Sequence, residues 1–211
     1  MTECSLVLAK AAADAEARIG SARPAHLALI TPMAEAGELI LGVPLMDAGG
    51  SYRGSLMIIR TAVLDRYLEA EPFRREGVWE SHAAYPFRIA PLPYRPLPDG
   101  PAPARPTHSV AIAFDGKGPE ALSRRLAARE AHLARARPAA EQGILTLGGA
   151  ILDAPDGRMI GSVAITAHPG SGAAQDWWAA DPYLTGGVWR DITWHATRFA
   201  PLPYHALPGV A

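Results

Sequence analysis

Short apolar runs and long stretches of helical spacing alternate along this chain in one order, and that order occurs twice. In the second half, "HSVAIAF" (108–114) is an apolar run of strand length. "PEALSRRLAAREAHLARA" (119–136) is rich in Ala, Leu, Arg and Glu, with apolar residues spaced about 3.6 apart, and predicts a helix. Pro138 is expected to kink or restart that helix, and Gly143 to end it in the left-handed conformation. "ILTLGGAIL" and "MIGSVAITA" flank "DAPDG", whose Pro-Asp-Gly turn predicts a pair of strands. "AAQDWWAA" predicts a second short helix, and "VWRDITWHATRF" alternates as a final strand. The first half follows the same order from a weaker first strand, "SLVLA" (5–9).

The two halves also match residue by residue. A shift of 106 positions lays Arg23 on Arg129, His26 on His132, Pro32 on Pro138, Glu35 on Glu141, Gly37 on Gly143 and Gly42 on Gly148. After a small insertion, Gly54-Ser55 meets Gly161-Ser162, Glu71-Pro72-Phe73 meets Asp181-Pro182-Tyr183, and Gly77-Val78-Trp79 meets Gly187-Val188-Trp189. The tails "RIAPLPYRPLP" (88–98) and "RFAPLPYHALP" (198–208) are nearly the same. Ordered matches over this length identify a tandem repeat.

"PDGPAPARP" (98–106) separates the copies, and proline there favours extended chain over helix or central strand. The expected domains are therefore 1–98 and 107–211, with a linker at 99–106. Each copy reads β-α-β-β-α-β, the ferredoxin-like pattern. A four-stranded sheet with helices on one side leaves its other face bare, and two copies bury that surface against each other. The expected class is α+β: two tandem ferredoxin-like domains packed sheet to sheet as an intramolecular dimeric α+β barrel. The Pro-rich tails are expected either to wrap this barrel or to serve a further contact, so the chain is a monomer or a homodimer.

Composition narrows the partners. The 211 residues are 49% hydrophobic and carry a net charge of −1, which gives no electrostatic footprint for nucleic acid or an anionic membrane. No apolar run is long enough to span a bilayer, and the acidic start is unlike a secretory signal. Cys4 is the single cysteine, which rules out an internal disulfide or a CxxC metal site. A cytoplasmic location is the expectation. His82, His108, His168, His195 and His205 show no HxH or HExxH spacing, and "GKG" (116–118) lacks the Walker pattern, so neither a metal nor a cofactor is expected.

Arg129 and His132 lie three apart on one helical face, as do Arg23 and His26. A histidine held in one tautomer by a carboxylate is a general base and then a general acid; the same ring also serves as a hydrogen-bonded structural group. The arginines suit a substrate carboxylate through paired hydrogen bonds, or else pair with acids such as Glu130 and Glu16. Aromatic residues such as Trp79, Trp177, Trp178 and Trp189 are expected mainly in the core, with at most one per copy lining a pocket. Gly42 and Gly148-Gly149 allow close backbone approach and leave room for a ligand.

"REAHLARARPAAEQGILTLGGAI", "GSVAI" and "AAQDWWAADPYLTGGVW" together closely resemble the YCII-related (YciI-like) family, over most of residues 108–200. The first copy, roughly 4–92, is similar but more diverged, with Glu71-Pro72 where the family has Asp-Pro. The resemblance implies the dimeric α+β barrel and a His–Asp acid/base pair in a pocket. It makes Asp181 the partner of His132 and, by repeat position, Glu71 the partner of His26. The family's best understood enzymatic relative eliminates chloride from a chlorinated hydroxymuconolactone. Asp181 also fits a plain helix cap ahead of Pro182, but Glu is a poor cap, and its place at residue 71 points to a retained acid.

Two functions stand open on this basis. One is a small-molecule enzyme, of lyase or isomerase type, in which the His132/Asp181 pair performs cofactor-free elimination or isomerisation of a lactone-like or enol-acid metabolite. His26 and Glu71 form the counterpart pair, while Arg129, Arg23, Gly148 and Trp189 contact substrate. The other is a non-catalytic metabolite-binding or accessory protein using the same pocket. The first copy is either a second active site or a degenerate structural half, and the fuller pattern in the second copy favours the latter.

Overall fold

A computed structural model describes residues 3–207; Met1, Thr2 and 208–211, at the outer ends of the two expected domains and including Pro208 of the second tail, lie outside the described residues. The first half runs β1 (Cys4–Ala11), α1 (Ala15–Glu35), β2 (Leu39–Met46), β3 (Tyr52–Arg60), α2 (Leu64–Ala70), α3 (Pro72–Arg75) and β4 (Trp79–Ile89). The second repeats it as β5 (His108–Asp115), α4 (Ala121–Glu141), β6 (Leu145–Leu152), β7 (Met159–Thr166), α5 (Ser171–Trp178), α6 (Pro182–Thr185) and β8 (Trp189–Thr197).

Both long helices end the same way. Gly37 and Gly143 take φ of +67° and +78°, and Glu38 and Ile144 donate back to the carbonyls of Met33 and Ala139. Glycine enters that left-handed turn without a Cβ penalty, so each helix stops there and the chain turns into a strand. Pro138 does not break α4, contrary to the expectation above: the helix is continuous to Glu141, and α1 likewise passes through Pro24 and Pro32. Pro138 falls in the last turn, where the missing N–H forfeits one ladder bond, and the buried face of Ala136, Ala139 and Ala140 holds that turn in place.

The strands close into a barrel in the order β1-β3-β2-β8-β5-β7-β6-β4. Within it, β4-β1-β3-β2 and β8-β5-β7-β6 are the two ferredoxin-like sheets, joined at seams where Met46 pairs with Ala196 and where residues 87–89 pair with 149–151. Leu6, Leu41, Leu56 and Ile58 from the first sheet share one apolar cluster with Val110, Ile112, Ile151, Val163 and Ile165 from the second. The fold is thus the dimeric α+β barrel, made by one chain. At the seam Gly149 is required for packing, since a Cβ there would sit 2.3 Å from Phe87 Cζ and 2.8 Å from the Arg88 carbonyl oxygen.

The Pro-rich tails cross over. The segment after β4 lies on the second half, where the Tyr94 hydroxyl donates to the Gly148 carbonyl (2.9 Å) and accepts from its N–H (3.1 Å). Arg95 Nε then donates to the Glu141 carbonyl at the end of α4. The segment after β8 lies reciprocally on the first half: Tyr204 contacts both peptide groups of Gly42, and His205 Nε2 contacts the Glu35 carbonyl at the end of α1. Each tail therefore saturates backbone groups belonging to the opposite repeat.

Candidate functional site

A cavity lies between each long helix and the outer face of its sheet. The second is about 510 Å³ and is lined by α4, β6 and β7, together with Arg88 and Ile89 at the end of β4 and Leu92 from the crossing tail that follows it. The first is about 280 Å³ and is lined by α1, β2 and β3, together with Arg198 and Phe199 from the crossing tail of the second half. Neither half completes its cavity by itself.

A histidine–carboxylate pair stands at each cavity. His132 Nδ1 is 2.9 Å from Asp181 Oδ1, and His26 Nδ1 is 2.7 Å from Glu71 Oε1. Both carboxylates are fully buried. The same oxygen also caps a short helix: Asp181 Oδ1 accepts from the Tyr183 N–H and Glu71 Oε1 from the Phe73 N–H, each at 2.9 Å. Capping and histidine pairing are one arrangement here rather than alternatives. Glu71 keeps both contacts despite its extra methylene. An ionised carboxylate only accepts, so Nδ1 carries the hydrogen, and Nε2 is left as the basic nitrogen. Neither Nε2 has a hydrogen bond among the described residues. Ring stacking fixes each imidazole, on Tyr183 at 3.8 Å for His132 and on Phe73 at 4.1 Å for His26. Behind Asp181, Arg135 Nε lies 3.7 Å from Oδ2.

The polar wall of the second cavity was not foreseen from the sequence. Arg125 is buried in α4, paired with Asp115 at 2.8 Å, and donates to Ser162 Oγ at 2.7 Å. Ser162 Oγ also accepts from Trp189 Nε1 (3.2 Å), which leaves its own hydrogen to donate. The Arg125 guanidinium stands 4.8 Å from the Tyr183 ring centre, and its Nε has no partner among the described residues. Burial pushes the Asp115 carboxyl above its ordinary range, against the opposing pull of Arg125. Burial likewise raises the Tyr183 phenol. Residues 125, 129 and 132 are spaced i, i+4, i+7, so one helical face carries Arg125, Arg129 and His132; this was the readable signal for Arg125.

The remaining expected residues divide by position. Arg129 and Arg23 are exposed at the cavity mouths, and neither forms an ion pair with Glu130 or Glu16 among the described residues. Gly148 lines the second cavity, with its N–H and carbonyl taken by Tyr94, so it contributes shape rather than hydrogen bonds. Trp189 is buried and lines the same cavity beside Trp178, while among the described residues no tryptophan lines the first. The expectation of at most one tryptophan per pocket therefore fails for the second cavity: α5 and β8 converge there, and Trp178 and Trp189 rings pack 5.1 Å apart.

The first cavity replaces that wall. Ile19 stands where α4 has Arg125, Ala11 ends β1 where Asp115 ends β5, and Tyr52 begins β3 where Met159 begins β7. The Tyr52 hydroxyl accepts from Trp79 Nε1 (2.9 Å) and shares a hydrogen bond with Ser55 Oγ (2.7 Å). Burial pushes the Tyr52 phenol up to about 12.

No helix among the described residues is long and apolar enough to cross a membrane. The profile of the YCII-related domain matches residues 112–194. A protein from Haemophilus influenzae, itself described as uncharacterized, is 42% identical over 86 residues, covering 38% of this chain and 88% of that protein. Among solved structures, a heme-binding protein from Thermus thermophilus is similar with TM-score 0.57 and 12% identity, over 92% of this chain and 90% of that one. A mutant chlorite dismutase from Candidatus Nitrospira defluvii is similar with TM-score 0.57 and 12% identity, over 95% and 92%. At such identities these two structures speak for the fold, whereas the Haemophilus relative and the matched domain carry the sequence itself: the chain belongs to the YCII-related family.

Proposed function

We propose that the second cavity is the active site of a small-molecule enzyme that carries out cofactor-free elimination or isomerisation of a lactone-like or enol-acid metabolite. The observation that carries this reading is the His132–Asp181 pair, with Nε2 left over at a cavity ringed by Arg88, Arg129 and Arg137 and walled by the buried Arg125–Asp115 pair. His132 Nε2 takes a proton from the carbon beside the substrate carbonyl, and the C–H electron pair moves into an enolate. Asp181 stabilises the imidazolium formed, and the Arg125 guanidinium together with the Ser162 hydroxyl offsets the oxyanion. In isomerisation, Nε2–H returns the proton at a different carbon. In elimination, the enolate electron pair expels a leaving group from the β carbon as an anion, and the imidazolium releases its proton to water. Arg129 and Arg88 at the mouth hold the anionic end of the substrate.

The test is deuterium wash-in. Full-length protein is incubated with a panel of lactones and enol acids in heavy water, and loss of the proton beside the carbonyl is followed by NMR. His132→Ala and Asp181→Asn are expected to lower exchange and turnover about 10²–10⁴-fold while leaving ligand binding in place. Binding lost in both variants, with no exchange on any panel member by the unaltered protein, would instead mean a binding protein.

A further inference from the structure

We propose that the first cavity is a second working site with its own ligand class: an uncharged, hydroxyl-bearing ring or short chain, in contrast to the anion held by the second. This rests on the reading of the histidine–carboxylate pairs given above, but the ligand class follows from the walls alone.

Capping of α3 accounts for an acceptor at residue 71, but not for the buried histidine paired with it and stacked on Phe73. Glu71 is fully buried, and its contacts to His26 and to the Phe73 N–H are both intact. Burying an ionised carboxylate is costly unless it is paired, and two apolar residues would fill the same space more cheaply. The cavity is also open, with His26, Tyr52 and Ser55 all on its lining.

Charge decides what enters. A carboxylate that leaves water needs a cation or several donors at its destination. The second cavity has Arg129, Arg88 and Arg137 exposed around it, and on its buried wall Arg125, whose charge is shared with Asp115. The first has Ile19 in place of Arg125, and its inner lining is Leu27, Ile30, Val43, Met57 and Phe73. Its arginines are poorly placed for a buried anion. Arg23 is exposed at the mouth, where Glu16 also stands, and Arg198 Nη1 already donates to the carbonyls of Pro103 and Ala104. What the cavity offers is a neutral donor. Trp79 donates to the Tyr52 oxygen, so whichever of Tyr52 and Ser55 donates to the other, one hydroxyl hydrogen is left for a ligand oxygen. A ligand hydroxyl accepting there, with its own proton facing His26 Nε2, meets the polar groups of the cavity and leaves its apolar body against the aliphatic wall. The smaller volume, about 280 Å³ against 510 Å³, fits a single ring.

A matched pair of probes tests this on the full chain by isothermal titration calorimetry at neutral pH: para-cresol, which is uncharged, and para-toluate, which is the same ring bearing a carboxylate. One equivalent of each is expected to bind, and saturation with one is expected to leave the affinity for the other unchanged. Tyr52→Phe with Ser55→Ala, which removes both hydroxyl donors, and Ile19→Arg with Ala11→Asp, which copies the wall of the second cavity, are each expected to weaken para-cresol about tenfold or more. The second of these is also expected to add a further equivalent of para-toluate. Competition between the probes for a single site in the unaltered protein, absence of saturable para-cresol binding, or unchanged para-cresol affinity when both Tyr52→Phe and Ser55→Ala are present would overturn the proposal. Failure of the acid–base reading is separately visible, because two independent binding events then persist without any exchange chemistry.

Discussion

The buried pair of Arg125 and Asp115 invites a stability experiment whose control is already present in the protein. The two side chains are 3% and 4% exposed and 2.8 Å apart, and the first half has Ile19 and Ala11 at the same places. Arg125→Ile alone strands the Asp115 carboxylate in the interior, which costs about 3–5 kcal/mol in buried pairs of this kind. For a chain of this length that corresponds to a fall in Tm of about 6–20 °C. Adding Asp115→Ala removes the stranded charge, and the double variant is expected to regain most of the loss, because an apolar replacement of a buried ion pair is often neutral or stabilising. Differential scanning calorimetry on the two single variants and the double variant measures this. Acidity supplies a second check. Burial already raises the Asp115 carboxyl, and removing Arg125 raises it further. A carboxyl whose folded-state value lies above its unfolded one weakens the fold progressively as pH rises from the unfolded value through the folded one, so the deficit of Arg125→Ile should shrink as pH falls through that window. If the double variant is as unstable as Arg125→Ile alone, or if the deficit of Arg125→Ile does not change with pH, the stranded-charge reasoning is wrong.

Two further outcomes can be measured on single variants. Tyr94→Phe deprives the buried Gly148 N–H of its partner and is expected to cost about 1–3 kcal/mol in urea denaturation, whereas a loss indistinguishable from zero would mean that the tail is merely draped on the sheet. Burial holds the His195 and His108 imidazoles below their ordinary range, with His168 adding to the effect at His108. Their contribution to stability is complete above the unfolded value of about 6.5 and is lost as pH drops through the folded values, so Tm is expected to fall across that window and to fall less in His195→Gln; a decline of equal size in the variant would exclude His195.

The repeat, the order of strands and helices and the closing of two sheets on each other were legible because each rests on a periodicity or on an unsatisfied surface. Gly143 marked its helix end for a local reason, the left-handed turn that glycine enters most easily, and Gly37 matched it by repeat position. The pairing of His132 with Asp181 came from family resemblance and not from spacing, since 49 residues separate them and only the fold brings them together. Arg125 and Asp115 were missed because their contact spans the turn from β5 into α4, where nothing in the pattern shows that the last strand residue faces the helix. Pro138 misled because a proline forfeits little in a last turn that is held by buried alanines. The tails were recognised as a repeated feature, but proline-rich chain has no hydrophobic period, so their destination on the opposite half was invisible.

That crossing separates where a residue is encoded from where it acts. Arg88 belongs to the first repeat and lines the second cavity, while Arg198 and Phe199 belong to the second and line the first. In a pair of identical subunits, any drift in such a tail would alter both sites together. Within one chain the tails are free to change singly, so each can be tuned to the cavity it covers while its own repeat stays as it was. Inheritance in this protein therefore runs crosswise: the history of either cavity is written partly in the other half, and a comparison of relatives that aligns each repeat only with itself would overlook it.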